Sequence, residues 1–153
     1  MAVDLFHAIA DPHRRLLLEI LRQGERASGE LADALSEVEL HLGDPDPTST
    51  VVVPDLSGWR RERLPEVPNA AAIAVRPDRV CEILSPGPAH TRRDRVFKQA
   101  IYHRVGMPWM WIVDPIAHTV EVLSHREEGY LILAVHPGQV EMTIPPFPSA
   151  AID

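Results

Sequence analysis

Apolar residues recur with a helical period near the start of the chain and with a period of two over most of the rest. Residues 3–22 carry an apolar stripe at helical spacing, and the pattern predicts a helix that is broken once, where Asp11 can cap a second helix with Pro12 at its first position. Ser28 can cap a further short helix that continues through Leu35. The first third of the chain is therefore predicted to be mainly helical.

From Val38 onward the period is that of a strand. The predicted strands are residues 38–42, the valine run 51–53, a short strand within 70–75, and then 79–85, 109–114, 119–124, 130–136 and 140–144. The valine run predicts a strand buried on both faces. Between the fourth and fifth strands Thr91 can cap a helix that runs to about Val105, and Gly106 and Pro108 end it. This order predicts an α/β or α+β fold with a mixed sheet.

Composition limits the class of protein. The 153 residues suit one compact domain, and 45% hydrophobic with 24% charged residues is typical of a soluble protein. No apolar run is long enough to span a bilayer and no basic-then-apolar leader opens the chain, so we expect a cytoplasmic protein without a membrane partner. Cys81 is the only cysteine, which excludes an intrachain disulfide and argues against structural zinc.

The distribution of charge along the chain bears on whether the protein binds nucleic acid. The net charge of −7 argues against a nucleic-acid partner at first sight, but local patches and bound cations set the field that a phosphate meets. Two arginine clusters are candidates for contacts with a DNA backbone, and a solvated face is the alternative for each. These clusters are Arg60, Arg61 and Arg63, and Arg92, Arg93 and Arg95. Lys98, beside the second cluster, is the only lysine in the chain.

Asp55, Glu82 and Lys98 are the candidates for chemistry. Asp55 directly follows a strand and a proline, Glu82 lies in the middle of an apolar strand, and Lys98 lies on the helix after that strand. A glutamate in such a strand is costly to bury without a cation, a metal or a hydrogen-bond network, and two adjacent carboxylates repel unless a divalent ion joins them. Hard carboxylate ligands suit Mg²⁺ or Mn²⁺, and Lys98 could orient a metal-bound water or stabilise transition-state charge.

Each candidate also has a structural explanation. Asp55 could be a turn residue, Glu82 could pair with Arg79 or Arg95, and Lys98 could be a solvated helix residue.

On the helix, Asp94, Lys98 and Tyr102 are four residues apart and share a face. If Lys98 faces the site, so do the other two.

Three stretches resemble the bacterial Uma-two family of endonucleases, within the restriction-endonuclease-like superfamily. They are VVVPDLSGWRRERLP, PDRVCEILSP and DRVFKQAIYHRVGMPWMWIVDP, and the resemblance runs from about Val38 to the C-terminus. It implies a restriction-endonuclease-like mixed β-sheet flanked by helices and a PD-(D/E)XK site that hydrolyses DNA with Mg²⁺ or Mn²⁺. Asp55 and Glu82 would be metal ligands, and Lys98 would be the catalytic lysine, moved from the position that Leu84 occupies.

The resemblance is incomplete in two places. Asp94 and Tyr102 match family positions of less defined role, and Gly87 and Pro88 stand where the family usually has Ser-Thr. The family's N-terminal helix commonly adds a glutamate to the site. Glu19 and Glu39 are candidates for that residue, but neither lies in a matching motif.

The N-terminal segment resembles another family. Residues 5–35 are similar to the opening helices of an ArsR-type helix-turn-helix repressor, but the match stops before the recognition helix, without which a major groove cannot be filled. We therefore expect an N-terminal helical segment over residues 1–36 and a nuclease-like domain over residues 37–153. Two alternatives to an endonuclease stay open: a DNA-binding regulator that dimerises through the nuclease-like part as a homodimer, and a degenerate, inactive nuclease.

Overall fold

The computed structural model describes residues 31–43, 50–85, 87–137, 142–143 and 151–152. In chain order its strands are β1 (Leu31–Ser36), β2 (Glu39–Leu42), β3 (Thr50–Val52), β4 (Leu56–Arg60), β5 (Ala72–Ile73), β6 (Arg79–Ile83), β7 (Trp109–Asp114), β8 (Thr119–Arg126), β9 (Gly129–Pro137), β10 (Met142–Thr143) and β11 (Ala151–Ile152). A helix, α1, lies between β6 and β7. It consists of α-helical Pro88–Arg92, π-helical Arg93–Lys98 and α-helical Gln99–Arg104.

The strands of the described residues form a six-stranded sheet in the order β1-β4-β6-β7-β8-β9, a three-stranded sheet in the order β3-β2-β5, and the pair β10-β11. In the large sheet β6 and β7 are parallel, whereas the other neighbours are antiparallel. A parallel pair needs a crossover connection, and α1 supplies it. No helix of the described residues is long and apolar enough to cross a membrane.

Most of the predicted strands are confirmed, and α1 begins earlier than predicted. The helix starts at Pro88, and Thr91 lies inside it, with its hydroxyl donating to the Gly87 carbonyl at 3.2 Å. Proline suits the first turn of a helix because its missing N–H is not needed there. Gly87, with φ of 110°, makes the positive-φ turn that leads into the helix.

The predicted helix from Ser28 through Leu35 is wrong over its second half. Residues Leu31–Ser36 form β1, which pairs antiparallel with β4 at the edge of the large sheet. Leucine and alanine favour a helix, but this propensity is weak and the hydrogen bonds to β4 override it. Residues 31–36 therefore belong to the main sheet rather than to a helical segment. The rest of that segment, with most of the ArsR-like match, lies outside the described residues.

The valine run is also not the buried strand that its pattern predicts. Val51 and Val53 are 50% and 44% exposed, and only Val52 between them is buried. Strand β3 belongs to the small sheet, and Pro54 follows it. The strand that enters the main sheet is β4, whose Ser57 and Gly58 weaken the apolar pattern. Asp55 thus lies at the entry to an interior strand of the large sheet.

The site lies on the face of the large sheet that α1 and the small sheet cover. Buried side chains from all three elements form one cluster there; among them are Leu40, Val52, Trp59, Ile73, Val80, Leu84, Tyr102, Met110 and Ile112. Because side chains alternate along a strand, Glu82 points to this same face, between Val80 and Leu84. Arg79 points to the other face, where its guanidinium stacks over the Trp111 ring at 4.0 Å. Burial lowers the pKa of Arg79 to about 10.

Candidate active site

Asp55 and Glu82 reach one region of the large sheet from neighbouring strands. Strands β4 and β6 pair in a register whose last partners are Leu56 and Cys81, so one further step sets Asp55 opposite Glu82. Residues opposite each other in an antiparallel pair share a face, with Cβ atoms roughly 5 Å apart. In addition, Asp55 Oδ2 accepts a 2.6 Å hydrogen bond from the backbone N–H of Ile83. Both carboxylates are buried, with Asp55 5% exposed and Glu82 0% exposed.

Lys98 contacts both Glu82 of β6 and the segment that leads into β4. Its Nζ donates to Glu82 Oε2 at 2.6 Å and to the Val53 carbonyl at 3.1 Å, and it lies 3.6 Å from Asp94 Oδ1. The only lysine of the chain thus compensates the charge of a fully buried glutamate. Arg79 and Arg95, the partners considered for Glu82 from sequence, do not take this place.

Tyr102 completes the surroundings of Glu82. Its hydroxyl donates to Glu82 Oε1 at 2.5 Å, so both oxygens of this carboxylate accept hydrogen bonds. Burial raises the pKa of Glu82, against the opposing effect of the Lys98 charge and of the hydrogen bonds from Lys98 and Tyr102. Burial and the nearby Glu82 charge also raise the pKa of Tyr102 well above its usual range. Tyr102 therefore stays protonated and acts as a fixed donor.

Asp94 and Lys98 both come from the π-helical part of α1. Asp94 is buried and accepts a 3.2 Å hydrogen bond from Arg93 Nε. Single π-helical turns are rare and are frequent at functional sites. The predicted shared face of Asp94, Lys98 and Tyr102 is confirmed, because all three gather around the Glu82 carboxylate or its ammonium partner.

A cavity of about 570 Å³ opens beside Asp55 and Lys98. Its lining residues are Glu37, Val51, Val52, Val53, Asp55, Ser85, Arg93, Phe97, Lys98 and Ile101. Glu82 does not line the cavity, but its ion-pair partner Lys98 does. A substrate would therefore meet Asp55 and Lys98 directly.

Glu37 is an acidic residue of this cavity that the sequence patterns did not indicate. It lies between β1 and β2, with φ of 52°, and its N–H donates to the Asp55 carbonyl at 3.1 Å. Glu39, one of the two glutamates considered from sequence, instead pairs with His41, and Glu19 lies outside the described residues. Local sequence gives no signal for Glu37, because its approach depends on the pairing of β1 with β4.

The donor set expected from the sequence for a metal consists of two carboxylates, those of Asp55 and Glu82. Within the residues that the structure describes, no cluster of three or more His, Cys, Asp or Glu side chains could hold a metal ion. Such a set does not suit structural zinc, which takes four protein ligands. It is compatible with Mg²⁺, which keeps several waters and commonly binds one or two carboxylates. Each carboxylate oxygen has two lone pairs, so Glu82 could accept from Lys98 and still bind a cation.

The six candidate arginines have different surroundings. Arg63 donates to Asp78 at 2.7 Å, and Arg95 pairs with both oxygens of Glu121 at 3.0 and 2.5 Å. Arg93 lines the cavity, and Arg92 lies over the Phe97 ring, 5.6 Å from its centroid. Arg60 and Arg61 are exposed. Of the six, Arg93 is thus the one that lines the candidate site.

The mixed sheet with its crossover helix is a restriction-endonuclease-like nuclease fold. The chain belongs to the Uma2 family, whose sequence model, described as "Putative restriction endonuclease", matches residues 8–153. Among solved structures, the chain is similar to the crystal structure of a "putative nuclease belonging to DUF820" from Anabaena variabilis ATCC 29413. That match has a TM-score of 0.63 at 22% identity and covers 89% of this chain and 72% of the other. No curated protein matches the chain.

Proposed function

We propose that the protein is a divalent-metal-dependent endonuclease that hydrolyses DNA phosphodiester bonds at Asp55, Glu82 and Lys98. The observation that carries this proposal is the contact of Lys98 Nζ with Glu82 Oε2 at 2.6 Å, next to the cavity that Asp55 lines. The Lys98 ammonium on α1 thus lies near two carboxylates, because the register of β4 with β6 sets Asp55 opposite Glu82. Membership of an endonuclease family supports the same reaction class.

Asp55 and Glu82 would hold the metal, Mg²⁺ or Mn²⁺. When bound, such an ion polarises a phosphoryl oxygen and lowers the pKa of a coordinated water. In the hydrolysis, a water oxygen bonds to phosphorus and the bond from phosphorus to one sugar oxygen breaks, which leaves a phosphomonoester and a hydroxyl group.

Lys98 would act on the phosphate and on the attacking water. An ammonium has three N–H donors, and two of those on Lys98 serve Glu82 and the Val53 carbonyl. The third can turn toward a phosphoryl oxygen, where it stabilises the charge that develops in the transition state. Tyr102 and Asp94 position this pair: Tyr102 holds Glu82, and Asp94 lies beside the ammonium.

The test uses purified full-length protein with a supercoiled plasmid and with circular single-stranded DNA, in Mg²⁺, Mn²⁺ or EDTA. We expect cutting with either metal, no cutting in EDTA, and recovery when excess Mg²⁺ is added. Lys98→Ala should abolish cutting. The matched control is Arg104→Ala, which removes another cation of α1, one that donates to Thr50. Cutting in EDTA, or cutting by Lys98→Ala at the wild-type rate, would contradict the proposal.

Both alternatives predict no cutting in this test, and a separate measurement of DNA binding distinguishes them. A regulator would bind an operator sequence in EDTA and cut nothing, and its helices would come from residues outside the described part of the chain. A degenerate nuclease would not bind a divalent metal and would not cut any form of DNA. No contact among the described residues favours either one.

A further inference from the structure

One wall of the cavity is apolar although it is open to solvent. Phe97, Val51 and Val53 are 56%, 50% and 44% exposed, and all three line the cavity together with Asp55 and Lys98. Ligand pockets are typically lined by apolar and aromatic side chains together with a few polar groups. Phe97 directly precedes Lys98, so its ring and the ammonium are carried by the same turn of α1.

A phosphodiester does not account for this wall. Proteins contact phosphates through arginine, lysine, polar side chains and backbone N–H groups, not through valine and phenylalanine. In a duplex the bases stack on one another inside the helix, so a protein at the scissile phosphate meets mainly sugar and phosphate. In an unpaired strand a base can turn outward, and its face can stack on an aromatic side chain.

The polar and apolar halves of the cavity suit the two halves of a nucleotide. A volume of about 570 Å³ is within the range of small-molecule pockets. Arg93 and Lys98 supply positive charge on the polar side, and Arg92 lies over the Phe97 ring, where a cation–π contact can orient the ring. A phosphate held by the polar groups would leave its adjoining base at the apolar wall.

We infer that Phe97, with Val51 and Val53, forms a subsite for one unstacked nucleobase next to the scissile phosphate. The preferred substrate is then single-stranded or locally unpaired DNA. This inference rests on the proposed function for the identity of the scissile phosphate, but the subsite itself is testable by binding alone.

The experiment measures binding of single-stranded oligonucleotides that contain 2-aminopurine, a base whose fluorescence falls when it stacks. The full-length protein is titrated in EDTA and in Ca²⁺, and each strand is also offered paired with its complement. Phe97→Ala removes the platform, and Phe97→Trp retains an aromatic face. Val96→Ala is the matched control, because Val96 is adjacent and 52% exposed but does not line the cavity.

We expect the wild type, Phe97→Trp and Val96→Ala to quench 2-aminopurine in the single strand more than in the duplex. Phe97→Ala should lose the quenching and bind the single strand about 5- to 150-fold more weakly, the effect of one base–aromatic stack. Equal quenching by Phe97→Ala, equal quenching of the duplex, or no binding of either form would overturn the inference. Melting temperatures show whether each variant is folded.

The two proposals fail separately. If DNA is never cut but quenching depends on Phe97, the base subsite stands and the endonuclease proposal falls. If both DNA forms are cut in Mg²⁺ at rates that Phe97→Ala leaves unchanged, and quenching does not depend on Phe97, the endonuclease stands and the subsite falls.

Discussion

Lys98 and Glu82 form an ion pair in which Nζ lies 2.6 Å from Oε2 and the glutamate is fully buried. Replacing such a pair with apolar residues of similar volume is often neutral or stabilising, so stability alone does not require it. Removing one partner, in contrast, leaves an uncompensated buried charge. The pair therefore fits a site whose chemistry needs both charges, and its two members can be tested independently.

The first prediction concerns stability and pH in Lys98→Met. Without the ammonium, the buried Glu82 carboxylate loses the interaction that opposes its desolvation, so its pKa rises further. A carboxyl whose pKa is higher in the folded than in the unfolded state binds more protons when folded, so stability falls as pH rises between the two values. We expect the variant to lose about 3–5 kcal/mol at neutral pH and to recover stability as pH falls to the raised pKa of Glu82 and below.

Denaturant unfolding of Lys98→Met across a range of about pH 5 to 8 checks this prediction. The double variant with Glu82→Gln is the control, and its stability should vary with pH much less because the carboxyl is gone. A single variant as stable as the wild type at every pH would show that the ion pair does not compensate Glu82.

The second prediction concerns the acid side of the pH–rate profile. Glu82 must be ionised to bind a cation, and burial raises its pKa, so cutting should decline at a higher pH than an ordinary glutamate would cause. Tyr102→Phe removes a donor that favours the ionised form, and the decline should move to still higher pH. Tyr130→Phe, which loses a hydrogen bond to the Met107 carbonyl instead, should leave the profile in place. Coincident profiles for all three proteins would rule out this role for Tyr102.

The third prediction separates the structural and chemical roles of Asp55. Asp55→Asn keeps an oxygen that accepts from the Ile83 N–H, so we expect stability close to the wild type but weak Mn²⁺ binding and no cutting. Asp55→Ala leaves that buried N–H without its acceptor, so its free energy of unfolding should be lower than that of Asp55→Asn by about 1–3 kcal/mol. Calorimetric titration with Mn²⁺ and denaturant unfolding measure the two effects. Tight Mn²⁺ binding by Asp55→Asn would remove Asp55 from the ligand set.

The fourth prediction distinguishes two arginines of α1. Arg93 lines the cavity, whereas Arg95 is held by both oxygens of Glu121. The logarithm of the DNA-binding constant falls with the logarithm of the salt concentration, and each phosphate contact contributes about 0.7 to the slope for a single strand or about 0.9 for a duplex. Arg93→Ala should therefore make this slope shallower by about that amount. Arg95→Ala should leave the slope unchanged and cost about 1 kcal/mol of stability or less. Anisotropy titrations between about 50 and 200 mM salt measure both slopes. An equal loss of slope in both variants would mean that the Glu121 pair opens on binding DNA.

The parts of the fold that could be predicted from sequence have strong local signals. Strands β6 and β7 are apolar runs bounded by prolines, and α1 ends at Arg104, just before Gly106 and Pro108, as predicted. The shared face of Asp94, Lys98 and Tyr102 follows from their spacing on one helix. These features needed no knowledge of the rest of the chain.

The parts that sequence could not supply depend on contacts between distant segments. Strand β1 has a helical composition and becomes a strand only by pairing with β4. Strand β4 carries Ser57 and Gly58, and the exposed valines before it give the stronger apolar signal. Glu37 reaches the cavity through the turn that follows β1. The opposition of Asp55 and Glu82 likewise depends on the register of β4 with β6, which no local pattern encodes.

The most direct test of the site compares two glutamates in one cleavage assay. Glu82→Gln removes the carboxylate that Lys98 and Tyr102 hold, and Glu121→Gln removes a carboxylate that is ion-paired with Arg95 outside the site. A metal site contributes several kcal/mol to the transition state, so with saturating Mg²⁺ the Glu82→Gln rate should fall by at least about 100-fold. The Glu121→Gln rate should stay near that of the wild type. Cutting by Glu82→Gln at the wild-type rate, or an equal loss in both variants, would contradict the assignment of Glu82 to the catalytic site.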